Sequence, residues 1–108
     1  MIRQLRPPEL KSWLDDSRRA QPLLLDVREP WEFERCHIAG ATSLPMSQIQ
    51  ATFSQLDPDQ ETVVICHHGV RSFHVARFLE HNDFTNVINL AGGVDAWAKE
   101  VDQQMPTY

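Results

Sequence analysis

Short, mainly apolar runs alternate with stretches spaced for helices along this chain, and that alternation leaves few folds open. "PLLLDV" (22–27), "TVVIC" (62–66) and "NVINL" (86–90) are brief runs bounded by turn-prone or charged residues. Such runs suit strands covered on both faces, as in a parallel sheet. Between them lies helical text. "PPELKSWLDDS" (7–17) puts Leu10, Trp13 and Leu14 on one face. "EPWEFER" (29–35) has Pro30 in its first turn and acids early, which favours a helix N-terminus. "SQIQATFSQL" (47–56) spaces Ile49, Phe53 and Leu56 for one helix, and "SFHVARFLEHN" (72–82) does the same with Phe73, Ala76 and Leu79. "VDAWAKEV" (94–101) groups Val94, Trp97 and Val101. "IRQL" (2–5) and "TSLP" (42–45) complete a count of five strands. Strand and helix alternate, so the expectation is an α/β domain with a mostly parallel five-stranded sheet and helices on both faces.

The 108 residues are read as one domain, with 42% hydrophobic and 23% charged residues and no repeat or low-complexity segment. The net charge of −5 argues against a general nucleic-acid partner, because phosphate binding leans on clustered Lys and Arg. No apolar run reaches the roughly 18 residues that a membrane span needs. "MIRQLRPPEL" has no apolar core of signal-peptide length, so the expected compartment is the cytoplasm. There Cys36 and Cys66 are expected as reduced thiols. They lack paired metal-ligand spacing, and no metal or cofactor is called for.

"VVICHHGVRS" (63–72) carries the chemistry. A strand ends on Cys66, and a helix is expected to start near Ser72. Ligands of such sheets bind at the carboxyl ends of the strands. Gly69 is free to take a positive φ in the turn. Backbone N–H groups of His67, His68, Gly69, Val70 and Arg71 then converge, and the next helix adds its own unsatisfied N–H groups and positive dipole end. Arg71 adds a fixed positive fork. A thiol in that field ionises more readily and becomes a nucleophile ringed by hydrogen-bond donors. Two chemistries use such a device: attack on a sulfane sulfur and attack on a phosphate ester. A phosphate needs a wider ring of N–H groups than one sulfur atom.

Three stretches resemble the single-domain rhodaneses, a family of thiosulfate or persulfide sulfurtransferases: "LLLDVREPWEFERCHIAGATSLP" (23–45), "VVICHHGVRS" (63–72) and "FTNVINLAGGVDAW" (84–97). With the helices between them, the likeness spans nearly the whole chain. It implies a rhodanese-like fold and a six-residue active loop from Cys66 to Arg71. Related phosphatases and arsenate reductases have one more residue between Cys and Arg, so the spacing here favours sulfur transfer. The resemblance implies that Cys66 takes the outer sulfur of thiosulfate or a persulfide. It then passes that sulfur to cyanide or a thiol, including a thiol on an acceptor protein. The chain departs from the family's usual text at His67 and His68, where a basic residue commonly follows the cysteine, at Cys36 for Gly, and at Ser43 for Asn.

Other residues have plainer readings. Cys36 is expected to be a buried, inert thiol. His67 and His68 either line the site or complete the loop, with His68 favoured for lining it. Arg71 is expected to brace the loop through its carbonyls, and Ser72 to cap the helix, with a bond to the thiolate as the lesser alternative. Asp26 and Arg28 are read as an ion pair or turn brace, the alternative placing Arg28 at the pocket mouth. Trp31 and Phe33 are read as core or pocket wall, His37 as structural, and His74 and His81 as solvent-facing. The tail "QQMPTY" either docks or frays.

Overall fold

The five expected strands form one sheet in the computed structural model, which describes residues 2–108. They are β1 (Arg3–Leu5), β2 (Leu23–Asp26), β3 (Thr42–Ser43), β4 (Thr62–Ile65) and β5 (Val87–Leu90). The order is β1-β5-β4-β2-β3 and every pairing is parallel. The helices are α1 (Pro7–Asp15), α2 (Pro30–Arg35), α3 (Ile49–Thr52), α4 (Val70–His81) and α5 (Gly93–Glu100).

Pleating divides the core in two. Leu24, Val63, Ile65, Ile88 and Leu90 point to the side where α1 brings Leu10 and Trp13 and α5 brings Val94 and Trp97. Leu25, Val64 and Cys66 point to the opposite side, against Ile49 of α3 and Val75, Ala76 and Leu79 of α4. Burial on both faces explains why β4 reads as an unbroken apolar run. It also fixes the direction of Cys66: one residue beyond Ile65, at the carboxyl end of the central strand, its side chain faces α4.

The segment 47–56 is not the single helix its spacing predicts. It breaks into a 3-10 turn (Met46–Gln48), the one-turn α3 and a second 3-10 turn (Phe53–Gln55). Thr52 Oγ1 donates back to the Gln48 carbonyl at 2.7 Å, a local bond that competes with helix continuation. The spacing of Ile49 and Phe53 still serves packing, since Ile49 is buried and Phe53 stands edge-on to Phe78 at 5.1 Å. Trp31 is neither core nor enclosed wall: it is 60% exposed, with its ring edge on Tyr108. Phe33 is half-buried and stacks on His37, whose Nδ1 meets the Phe33 carbonyl at 2.7 Å. His74 and His81 face solvent as expected. No helix among the described residues is long and apolar enough to cross a membrane.

Candidate active site

Residues 66–71 fold into a cradle because α5 holds its outer side. The Val94 N–H donates to the Cys66 carbonyl at 2.9 Å, and the Asp95 N–H donates to the His67 carbonyl at 3.0 Å. In a trans peptide the following N–H points the opposite way. Binding these two carbonyls to α5 therefore turns the N–H groups of His67 and His68 to the inner side of the loop. Neither N–H has an acceptor among the described residues. Gly93, at φ +61°, permits the approach, since a Cβ there would run into the Cys66 carbonyl and the His67 backbone. Gly69 closes the loop at φ +95° and serves as N-cap of α4.

Cys66 is 1% exposed. Its Sγ receives the Gly69 N–H at 3.0 Å and lies 3.2 Å from Ser72 Oγ. α4 starts at Val70, two residues earlier than its apolar spacing predicts, because Gly69 already turns the chain into the helix. Ser72 is therefore inside the first turn and is no cap. It is fully buried, and its hydroxyl sits between Cys66 Sγ and Asn89 Oδ1. Val70 is 64% exposed on the rim.

Arg71 does not brace the loop through its carbonyls. Its guanidinium makes a bidentate pair with Glu32, Nη1 to Oε1 at 2.7 Å and Nη2 to Oε2 at 2.9 Å. A planar fork meeting a buried carboxylate is a stronger partner than neutral carbonyls. The pair holds Glu32 down at about 2, despite burial that works the other way. It also raises Arg71 above its ordinary value. Tyr108 joins the same carboxylate: its hydroxyl donates to Glu32 Oε2 at 2.7 Å and accepts from Arg28 Nη1 at 2.8 Å. Burial pushes Tyr108 up to about 12. Arg28 is fully buried and pairs with Asp26, Nη2 to Oδ2 at 2.7 Å, while its Nη2 also reaches the Cys36 carbonyl at 2.7 Å. Asp26 and Arg28 are thus a buried ion pair, and Arg28 is not at a pocket mouth. Burial opposes the Arg28 charge, but Asp26 and Tyr108 outweigh it and raise its pKa. The result is one chain of bonds, Asp26–Arg28–Tyr108–Glu32–Arg71, running from the end of β2 to the first turn of α4.

The tail docks. Met105 is buried, and the Tyr108 ring stacks on His67 at 3.9 Å and 9°. His67 is accordingly the more enclosed histidine and His68 the open one, the reverse of the expectation. Burial, with His68 next to it, lowers the pKa of His67 below 6.5. His67, His68 and Asp95 bring three donor atoms within 4.8 Å of one another. Yet Asp95 already takes Lys99 Nζ at 3.0 Å, and the inward N–H groups and two helix N-termini make the local field positive. That environment suits an anion better than a metal ion. Cys36 is buried behind α2, with Arg28 Nη1 4.0 Å from its sulfur.

Glu32, Asn89 and Tyr108 are absent from the sequence reading of the site. Asn89 left a trace, as an amide in the middle of an apolar strand. Glu32 left a weaker one, as an acid on a helix expected to bury a face. Tyr108 left none.

The family model of the rhodanese-like domain matches residues 6–100. The chain belongs to the rhodanese family. This rhodanese domain is 32% identical over 99 residues to a protein named sulfurtransferase from Allochromatium vinosum, covering 92% of this chain and 91% of that one. It is 36% identical over 106 residues to the probable adenylyltransferase/sulfurtransferase MoeZ of Mycobacterium tuberculosis, covering 96% of this chain. The rhodanese domain spans only 26% of MoeZ. A rhodanese-like domain protein from Staphylococcus aureus has the same fold, with a TM-score of 0.84, 27% identity and 99% of each chain covered.

Proposed function

We propose that this rhodanese domain is a sulfurtransferase that moves a sulfane sulfur from thiosulfate or a persulfide to a thiol or cyanide through a Cys66 persulfide. The observation that carries the reading is the cradle itself. Cys66 Sγ lies 3.0 Å from the Gly69 N–H, in a six-residue loop whose His67 and His68 N–H groups have no acceptor among the described residues. The Cys66 thiolate attacks the outer sulfur of the donor. The donor's S–S bond breaks, and its electron pair leaves with sulfite or with the donor thiolate. The Cys66 persulfide is then attacked at its outer sulfur by the acceptor, and the pair of the new S–S bond returns to Cys66 Sγ. No oxidant or reductant is consumed. The free loop N–H groups offer fixed dipoles to the anionic outer sulfur.

Charge favours a persulfide over thiosulfate as donor. Arg71 is matched by Glu32, and the lowered His67 is neutral at pH 7. A dianion therefore finds backbone dipoles and little unpaired side-chain charge. The exposed Trp31 and Val70 offer apolar surface for an acceptor protein. We read residues 1–108 as one domain working in the cytoplasm.

Intact-mass measurement after exposure to thiosulfate and, separately, to a low-molecular-weight persulfide tests the reading. The expected result is a gain of about 32 Da, one sulfur on the nucleophile, lost in Cys66→Ser along with turnover, with the persulfide loading faster. An adduct that persists in Cys66→Ser would move the chemistry elsewhere. No adduct from either donor would leave a binding module in place of an enzyme.

A further inference from the structure

Asn89 is 2% exposed on β5, where the strand's alternation would place an apolar residue against α4. A buried amide is costly unless its hydrogen bonds are made. Its Nδ2 donates to Gln4 Oε1 at 3.0 Å and to the Gly69 carbonyl at 3.1 Å. The Gly69 carbonyl is an acceptor only, which fixes the amide's orientation and leaves Oδ1 facing Ser72 Oγ at 2.5 Å. Ser72 Oγ is also 3.2 Å from Cys66 Sγ.

Ser72 has one hydroxyl proton and two acceptors, and all three residues are buried. The Ser72 proton has a different preferred acceptor in each state of the sulfur. When Cys66 is a thiol, S–H donates to Ser72 Oγ and the Ser72 O–H donates to Asn89 Oδ1. When the S–H proton has left to solvent, the thiolate becomes an acceptor. The Ser72 O–H then turns about its Cβ–Oγ bond onto sulfur and gives up Asn89. The Gly69 N–H stays on sulfur throughout.

We propose that the Ser72 hydroxyl is a rotary switch between Asn89 and Cys66, and that Asn89, acting through Ser72, is a positioning residue that sets how readily the nucleophile ionises. This rests on the reading of Cys66 given above. The switch turns twice in each cycle. In the persulfide, Sγ is a neutral, weak acceptor and the hydroxyl returns to Asn89. When an acceptor takes the outer sulfur, the S–S electron pair arrives on Sγ and the hydroxyl turns back to receive it. The charged and titratable groups around the sulfur are Arg71 with Glu32, His67, Asp95 of α5, Asp26 with Arg28 at the end of β2, and Tyr108. None of them is altered in the test below.

The test is the pH dependence of iodoacetamide alkylation at Cys66, read by peptide mass so that Cys36 is scored separately, with no sulfur donor present. Ser72→Ala should raise the ionisation midpoint by about one pH unit, a tenfold change in thiolate fraction on the rising limb. Asn89→Ala should lower it, by freeing the hydroxyl for sulfur. In a Ser72→Ala background, Asn89→Ala should leave the midpoint where it is. An unmoved midpoint in Ser72→Ala overturns the switch. So does an Asn89→Ala shift of equal size in both backgrounds, which would assign the effect to the Gly69 peptide. Asn89→Leu, closer in volume, takes the place of Asn89→Ala if the latter does not fold. Because no donor is used, an absence of sulfur transfer leaves these midpoints unaffected, and a failed switch leaves the mass test of transfer intact.

Discussion

The Tyr108 hydroxyl lies 2.7 Å from Glu32 Oε2, and so joins a residue of the tail to the carboxylate that fixes Arg71. Glu32 thereby has all its acceptor directions filled, by Arg71, by Tyr108 and by its own helix-start N–H at Glu29. The contact spans 76 residues of sequence, so the first turn of α4 depends on a segment far from it along the chain.

Removing that hydroxyl has a readable cost. Tyr108→Phe keeps the ring on His67 but leaves an Arg28 N–H and a Glu32 oxygen short of a partner. The expected loss is about 1–3 kcal/mol, the cost of stranding buried polar groups. Thermal melting by circular dichroism should show a fall of several degrees. Tyr108→Ala also removes the stack, so it should alter donor KM where Tyr108→Phe does not.

Acid should act through Glu32. Its folded value of about 2 lies below its ordinary 4.5, because Arg71 and Tyr108 favour the charged form more than burial opposes it. A depressed carboxylate stabilises the fold above about 4.5, and the benefit drains away as pH falls through about 2. The amount is on the order of 3 kcal/mol. Urea titrations at descending pH should show this loss in the native protein. Glu32→Gln should start less stable at neutral pH and slope less on the acid side. Equal slopes for the two proteins would remove Glu32 from the account.

Donor binding should carry the mark of His67. Protonated, it adds charge beside the cradle; neutral, it adds none. Its pKa is lowered from 6.5 by burial and by His68, so KM for thiosulfate should rise with pH through a midpoint below 6.5. The inflexion should vanish in His67→Ala and persist in His68→Ala. Steady-state kinetics across the acid range measure it, and an uncharged sulfane-sulfur donor should show no inflexion from this source.

Gly93→Ala should damage the loop more than the fold. The position needs a left-handed φ, which costs an alanine about 1–2 kcal/mol. The added methyl would also run into the Cys66 carbonyl and the His67 backbone. The carbonyls must then leave α5 and the inward N–H groups must turn. Alkylation of Cys66 and sulfur loading should both fall by at least tenfold, while far-ultraviolet circular dichroism stays near native. Native loading in this variant would show that α5 does not shape the cradle.

Much of this was legible in the sequence, for reasons that differ by residue. β2, β4 and β5 were readable because strands buried on both faces carry little but apolar residues. Cys66 stands out in the sequence because a thiol at the carboxyl end of such a strand, followed by a glycine-bearing turn, has few structural uses. The partners of the loop were not. Apolar spacing puts the start of α4 at Ser72 and makes that residue a cap, whereas Gly69 begins the helix two residues earlier. The nearest acceptors to Arg71 in sequence are the loop carbonyls, and the better acceptor, Glu32, is on α2. Trp31 has the composition of a core residue and lies on the surface, since the buried side of α2 goes to Glu32. Segment 47–56 has helical spacing but breaks at Thr52, where a local side-chain bond competes. Tyr108 meets Glu32 across 76 residues of sequence, and no local pattern announces that.

The hold of α5 on the carbonyls of Cys66 and His67 also orders events in time. During synthesis β4 and the cysteine emerge before β5 and α5. A nascent chain that stops short of Gly93 carries Cys66 on a loop with nothing to orient its peptides. Asn89 and the α5 N–H groups arrive later and convert that loop into a cradle. The chain therefore makes its thiol early and arms it late, when the surrounding fold is already able to enclose it.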